Sequence, residues 1–337
     1  MNMRKWLSDQ LEAPVKKSMP VLSFPSVSLL GITVKELISD PELQAKGMKL
    51  IADRVPSAAS VSMMDLSVEA EAFGAEIHIS DDEVPTVIGA IAPDEEKADA
   101  LTVPEVGAGR TGLYIDAISK AVQMITDRPV FAGMIGPFSL AGRLINVTEA
   151  LIMCYEEPDM VHTVLEKASD FLVKYALAYK NVGASGIVMA EPLTGLLSPS
   201  LAEEFSEPYV KKIVDAVQDD DFIVIYHNCG NGTIRMIGSI LRTGASAYHF
   251  GNAIDMKEMM TKIPSDTIAM GNVDPASQFR NGTPDSIKAE TKRIMSECCR
   301  YNNFVISSGC DIPPMTPWEN IDAYFEAIDE FYASMEK

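Results

Sequence analysis

A histidine and a cysteine two residues apart, His227 and Cys229, stand in the run Tyr226-His227-Asn228-Cys229-Gly230-Asn231-Gly232. The apolar stretch Asp221-Phe222-Ile223-Val224-Ile225 precedes them and reads as a buried strand. The pair therefore marks the point where a strand ends and a glycine-rich turn begins, with both side chains on one side. Ser307-Ser308-Gly309-Cys310-Asp311 has the same build, since Asn303-Phe304-Val305-Ile306-Ser307 runs into Gly309 and leaves Cys310 at the strand's end. An imidazole and two thiols at strand ends form a borderline-soft donor set of the kind zinc prefers. Three protein ligands also leave one position open, as a catalytic zinc requires. A lone His-x-Cys is more often core filler plus a turn residue, and it is the second thiol at an equivalent strand end that favours the metal.

Other residues are weighed in the same way. Asp65 follows the alternating run Ser60-Val61-Ser62-Met63-Met64, and it reads equally as a site carboxylate or as the N-cap of a helix beginning near Leu66. Glu191 ends the run Gly186-Ile187-Val188-Met189-Ala190 and is a second candidate carboxylate. Cys298 and Cys299 lie inside a helical pattern and read as core filler, and Cys154 and His162 read as structural. Gly107-Ala108-Gly109-Arg110-Thr111-Gly112 matches the dinucleotide glycine pattern, but no apolar strand precedes it and no βαβ unit surrounds it, which argues against a cofactor loop.

The elements that must position these residues alternate along the chain. Strands start near 20, 60, 129, 186, 222, 246, 267 and 304, each followed by a helical pattern. Eight such units predict an α/β fold of the (β/α)8 TIM barrel type, with the active site at the C-terminal ends of the strands. A doubly wound sheet is the alternative, and it gathers the same residues along one edge. Residues 1–19 predict an N-terminal helical extension on the outside of a single barrel domain spanning 1–337. Thr33 with Glu36 predicts a capped helix start, a long helical region is expected over 138–182 with a break at Pro158, and 80–112 reads as a long excursion over the barrel mouth.

Bulk properties narrow the function further. The 337 residues carry 28 basic and 48 acidic side chains, a net charge of −20, which leaves no basic footprint for nucleic acid or an anionic membrane surface. No apolar run is long enough to span a membrane, and the N-terminus lacks the apolar segment of a signal peptide. Five scattered cysteines fit a reduced, cytoplasmic protein better than a disulfide framework.

Several stretches carry a family likeness. Asp65-Leu66-Ser67-Val68-Glu69-Ala70-Glu71-Ala72-Phe73-Gly74-Ala75-Glu76, Gly136-Pro137-Phe138, Gly230 to Thr233 and Ser308-Gly309-Cys310-Asp311-Ile312-Pro313-Pro314 resemble the uroporphyrinogen decarboxylase superfamily. The likeness is nearer to its methyltransferase branch, the methylcobamide:coenzyme M methyltransferases, and extends from about 20 to 335. It implies a (β/α)8 barrel and a His-x-Cys motif followed by a second cysteine, matching His227, Cys229 and Cys310 as zinc ligands. Also implied is a methyl group moved between a corrinoid (methylcobalamin) on a carrier protein and a thiol such as coenzyme M. Tetrahydrofolate, or a methyl ether or amine, is the alternative partner.

By the same resemblance Asp65 matches the decarboxylase's central aspartate. The decarboxylases carry an early arginine-rich segment for the tetrapyrrole carboxylates, whereas residues 20–31 here contain no arginine. They also carry a Gly-His-Gly motif where this chain has Gly309-Cys310-Asp311. Both departures argue against a metal-free carboxy-lyase. Thiol-methylating relatives often carry an acidic pair after the next strand, where this chain has Phe250-Gly251-Asn252. The fourth zinc position then falls to water, substrate or a neighbour such as His249.

Overall fold

The computed structural model describes residues 1–335, so the last two residues of the expected 1–337 domain lie outside the described residues. The strands, in chain order, are β1 (Ser60–Val61), β2 (Glu76–His78), β3 (Thr86–Ile88), β4 (Val130–Ile135), β5 (Gly186–Ala190), β6 (Ile223–Asn228), β7 (Ala247–Phe250), β8 (Ile268–Val273) and β9 (Phe304–Ser308). Seven of them form one all-parallel sheet in the order β1-β4-β5-β6-β7-β8-β9, and β2 and β3 form a separate hairpin. Helices follow the parallel strands, as right-handed parallel crossovers demand, and the curled sheet is the TIM-barrel-like α/β architecture the alternation implies.

The eighth strand, expected near residue 20, is not a regular one. Residues 18–21 run between the two edges of the sheet, where Ser18 O accepts from Ala58 N at 2.8 Å and Met19 N donates to Ile306 O at 3.2 Å. Val21 N reaches Ser308 Oγ at 3.0 Å instead of a backbone carbonyl. Pro20 has no N–H to contribute, so the segment closes the sheet with too few ladder bonds to count as a strand.

Side-chain alternation divides the core in two. Val188 and Ala190 of β5 and Ile223 and Ile225 of β6 join Phe131, Ala247, Ile268, Met270 and Val305 in an inner cluster. Their neighbours Ile187, Met189, Val224, Tyr226, Tyr248 and Phe250 pack outward against the helices. This is the period-two pleat of strands buried on both faces.

The N-terminal helix Met3–Glu12 does not lie outside the fold as expected. Met3 and Trp6 are buried in the inner cluster, Trp6 sits 5.8 Å from the Phe131 ring, and Met3 N donates to Asp220 O just ahead of β6 at 2.7 Å. The helix therefore closes the end of the barrel where the strands begin, and its polar residues face solvent, which is why its sequence reads as an exterior helix.

Thr33 and Glu36 form the expected capping box. The region 138–182 is divided twice, into Pro137–Ile145, Val147–Glu156 and Pro158–Asn181, because Asn146 adopts a positive φ of 100° ahead of the expected break at Pro158. The stretch 80–112 is better ordered than an excursion, carrying β3 and the helix Glu95–Ala100, whose Ala98 carbonyl accepts from Lys167 Nζ at 2.7 Å.

Trp6→Ala should therefore cost about 3 kcal/mol, the usual loss for truncating a buried aromatic. Urea denaturation followed by circular dichroism would report it as a lower midpoint, and an unchanged midpoint would place the helix outside the core.

Candidate metal centre

β6 is in phase with the inner cluster at Ile223 and Ile225, so His227 also faces inward, and it is buried. Asn228 then ends the strand and holds the turn that follows. Its Oδ1 accepts from Gly230 N at 2.9 Å and Thr233 Oγ1 at 2.7 Å, while its Nδ2 donates to the Glu191 carbonyl at 2.9 Å. This turn brings Cys229 back toward His227. Across the sheet, Gly309 N donates to Val273 O at 2.6 Å and carries the chain from β9 into Cys310. A ligand atom from each of His227, Cys229 and Cys310 lies within 4.8 Å of the other two. Cys310 Sγ stands 3.5 Å from His227 Nε2.

Gly251 is required by this arrangement. A Cβ there would collide with Cα and Cβ of Cys229, so the acidic residues expected from the family likeness have no room at this point unless Cys229 moves. The following Asn252 is exposed and packs its backbone against Gly309.

The pair of thiols is electrostatically unequal. A hydrogen bond from the Cys310 thiol is the largest influence on Cys229 and pulls it below the ordinary thiol range, against the opposing effect of burial. The same hydrogen bond and burial push Cys310 up. The donor set fits zinc: two sulfurs and one imidazole, with one thiol whose proton is held less tightly than usual. His249, named above as a possible fourth ligand, points elsewhere. Its Nδ1 lies 2.7 Å from His227 Nδ1 and its Nε2 lies 2.8 Å from Ser307 Oγ, so both nitrogens are occupied behind His227. Burial, then the adjacent His227, keeps its pKa well below the ordinary imidazole range.

Neither candidate carboxylate joins the metal-ligand group among the described residues. Asp65 is buried with both oxygens engaged: Oδ1 accepts from Ser67 N at 3.1 Å and Ser67 Oγ at 2.5 Å, and Oδ2 accepts from Tyr114 at 2.7 Å and Arg110 at 2.5 Å. It is neither a free site acid nor the N-cap, which is Ser67. Arg110, inside the dinucleotide-like glycine run, is the cation that neutralises it and also pairs with Glu71 at 2.6 Å. Gly109 lets that loop approach Ala72 and Glu71 closely.

Glu191 turns outward from the lumen and sits beneath the helix Pro137–Ile145, accepting from Ser139 N at 2.7 Å. Its Oε2 is buried without a hydrogen-bond partner against Gly136. Burial raises its pKa to about 8, and burial likewise raises Glu69 to about 7 and Asp311 to about 8. Asp311, directly after Cys310, accepts from Met64 N at 2.8 Å and keeps Oδ1 buried and unpartnered. Sequence reading passed over it and Ser307, and took His249 as a possible fourth ligand but not as the partner of His227. The repeated Tyr-His dipeptides at 226–227 and 248–249, in the same strand phase, were the available signal.

The remaining cysteines and His162 have packing roles. Burial pushes the Cys154 and Cys298 thiols up to about 12 and Cys299 to about 11. His162 stacks on Phe205 at 4.6 Å and meets Tyr209 at 2.7 Å. No described helix is long and apolar enough to cross a membrane.

A parallel barrel-type sheet with a His-Cys-Cys cluster where strands end defines an α/β barrel with a candidate metal site, and the comparisons give the family. The pattern described as uroporphyrinogen decarboxylase (URO-D) matches residues 24–331, and the chain belongs to that family. It is 31% identical over 275 residues to the methylcobamide:CoM methyltransferase MtbA of Methanosarcina mazei, covering 79% of this chain and 78% of that one. Identity to the uroporphyrinogen decarboxylase of Coxiella burnetii is 27%, covering 88% and 84%. A solved methyltransferase from Methanosarcina mazei superposes with a TM-score of 0.86 at 27% identity, covering 98% of this chain and 99% of that one.

The raised carboxyl at Glu191 predicts a direction for stability. Its folded pKa, about 8, exceeds its ordinary 4.5, so its contribution is complete below about pH 4.5 and is lost as pH rises through about 8. Thermal melts should show the wild type losing stability between pH 5.5 and 8.5, and Glu191→Gln, which keeps an acceptor for Ser139 N, losing less. Equal losses would contradict the assignment.

Proposed function

We propose that this chain moves a methyl group between a methylcobamide, presented on a small corrinoid protein, and a thiol such as coenzyme M, with zinc held by His227, Cys229 and Cys310. The chain is an enzyme of the methyltransferase class, and its family relatives of that name align over more than three quarters of its length. The observation that carries the zinc assignment is the convergence of one imidazole and two thiols within 4.8 Å at strand ends. We read 1–337 as one working barrel, with the site at the end where the strands finish.

Zinc held by His227, Cys229 and Cys310 would supply Lewis acidity that favours the deprotonated form of a thiol substrate near neutral pH, and its two cysteine ligands would leave that sulfur nucleophilic. The residues do the rest. Gly251 admits Cys229 to the site, and Asn228 fixes the turn on which Cys229 rides. Asp311 offers an unpartnered buried oxygen beside Cys310, suited to receive a donor group of the substrate. Asp65, neutralised by Arg110, braces β1's end rather than exchanging protons. In the net reaction the thiol sulfur gains the methyl carbon and the thiol proton passes to solvent. The carbon–cobalt bond breaks, with its electron pair left on cobalt. Nothing in this needs an acid/base pair, only positioning and a tuned nucleophile.

The carboxy-lyase reading has the Coxiella relative in its favour. Against it stand the absence of arginine in residues 20–31 and a thiol where the decarboxylases carry a histidine. Metal content separates the two readings directly.

Zinc-supplied protein mixed with methylcobalamin should demethylate it in the presence of a thiol, read anaerobically from the corrinoid spectrum. A panel of coenzyme M, other thiols and tetrahydrofolate identifies the acceptor. Cys310→Ser should reduce the rate to background while leaving the circular dichroism unchanged. A zinc-loaded wild type inert toward every acceptor would refute the proposal.

A further inference from the structure

The metal-site reading leaves open what aims the imidazole, since a histidine can ligate only through a nitrogen that carries no proton. His227 has two candidates: Nε2, 3.5 Å from Cys310 Sγ, and Nδ1, 2.7 Å from His249. In most metal sites the second nitrogen donates to a carboxylate, a backbone carbonyl or water, and that partner fixes the tautomer. Here the partner is another imidazole, an acceptor only if its own proton is held elsewhere.

The hydrogen bonds behind it decide the matter. Ser307 Oγ donates its single proton to the Met19 carbonyl at 2.7 Å. It is then left with lone pairs toward His249 Nε2, 2.8 Å away, so that nitrogen must carry a proton and donate it. Both rings are buried, and neither is in hydrogen-bond contact with a carboxylate among the described residues. His249 is then neutral with a bare Nδ1, and His227 must donate its Nδ1 proton to it. The bare nitrogen of His227 is Nε2, on the side of the two thiols.

We propose that His249, locked by Ser307 and the Met19 carbonyl, is the positioning residue that sets the tautomer of His227 and so makes its Nε2 a metal ligand. The inference rests on the metal-site reading above. It adds a four-group relay running from the segment that closes the barrel, through β9 and β7, to the ligand on β6. The register supports it independently, because β6 and β7 pair His227 directly with His249 on the lumen side. Met19 belongs to the segment that takes the place of an eighth strand, so one residue serves barrel closure through its N–H to Ile306 O and ligand orientation through its carbonyl to Ser307 Oγ.

The test uses the full chain labelled with 15N-histidine. Only four histidines are present, so long-range proton–nitrogen spectra can be assigned by substitution. Metal-free wild type should show His227 protonated on Nδ1 and His249 on Nε2, and zinc should shift His227 Nε2 alone. Ser307→Ala should blur the His249 tautomer. His249→Leu should weaken zinc binding by about 10–100-fold in competition with a chelator, the usual effect of losing such a partner. His249→Asn, which keeps an acceptor near the Nδ1 position, should recover most of that loss. A proton on Nε2 of His227 in the metal-free protein, or unaltered zinc affinity in a folded His249→Leu, would overturn the relay. If the wild type takes up no zinc, the metal reading itself fails, and the tautomer spectrum still decides the relay separately.

Discussion

Strand register is the constraint on which the rest of the structure depends. Residues two apart on a strand are separated by about 6.6 Å along its axis, too far for their side chains to share one small ion while the strand continues. His227 and Cys229 meet only because β6 stops at Asn228, whose amide ties the following turn to Gly230, Thr233 and the Glu191 carbonyl. The same register pairs Ala190, His227 and His249 on adjacent strands. A slip of one residue in β6 would turn both donors out of the lumen and into the helix layer. Gly251 and Gly309 complete the constraint, since Cys229 and Asn252 occupy the places where their Cβ atoms would stand.

Charge is distributed around that frame in two ways. The sequence carries an excess of 48 acidic over 28 basic groups, while the buried carboxyls are either paired with a cation or shifted upward by burial. Asp65 is balanced by Arg110 and its pocket of hydroxyls, a fully satisfied arrangement that fixes the end of the first strand. Among the described residues Glu69, Glu191 and Asp311 have no such cation in contact, and burial raises all three toward or above neutrality.

Much of this was legible in the residues. Seven of the eight expected strands are present as parallel neighbours, because apolar runs of five or six residues bounded by glycine, proline or aspartate have one plausible use in an alternating chain. The clustering of His227, Cys229 and Cys310 was visible from residue type and strand-end position. The eighth strand was overestimated because Pro20 was weighed as punctuation and not as a missing donor. The N-terminal helix was assigned to the exterior because its polar residues outnumber Met3 and Trp6, the two that fill the barrel floor. Asp65 and Glu191 looked like site acids because they end strands, but position along a strand does not say which way a side chain turns. Glu191 falls on the outward phase, and Asp65 depends on Arg110, forty-five residues away. Partners at such separations are set by tertiary packing, which no local pattern records.

Zinc K-edge X-ray absorption of the purified, zinc-supplied protein tests the central claim most directly. The account predicts one zinc per chain with two sulfur ligands and one imidazole nitrogen from the protein, and one sulfur fewer in Cys310→Ser. A folded protein that binds no stoichiometric zinc, or binds it through oxygen and nitrogen alone, would contradict it.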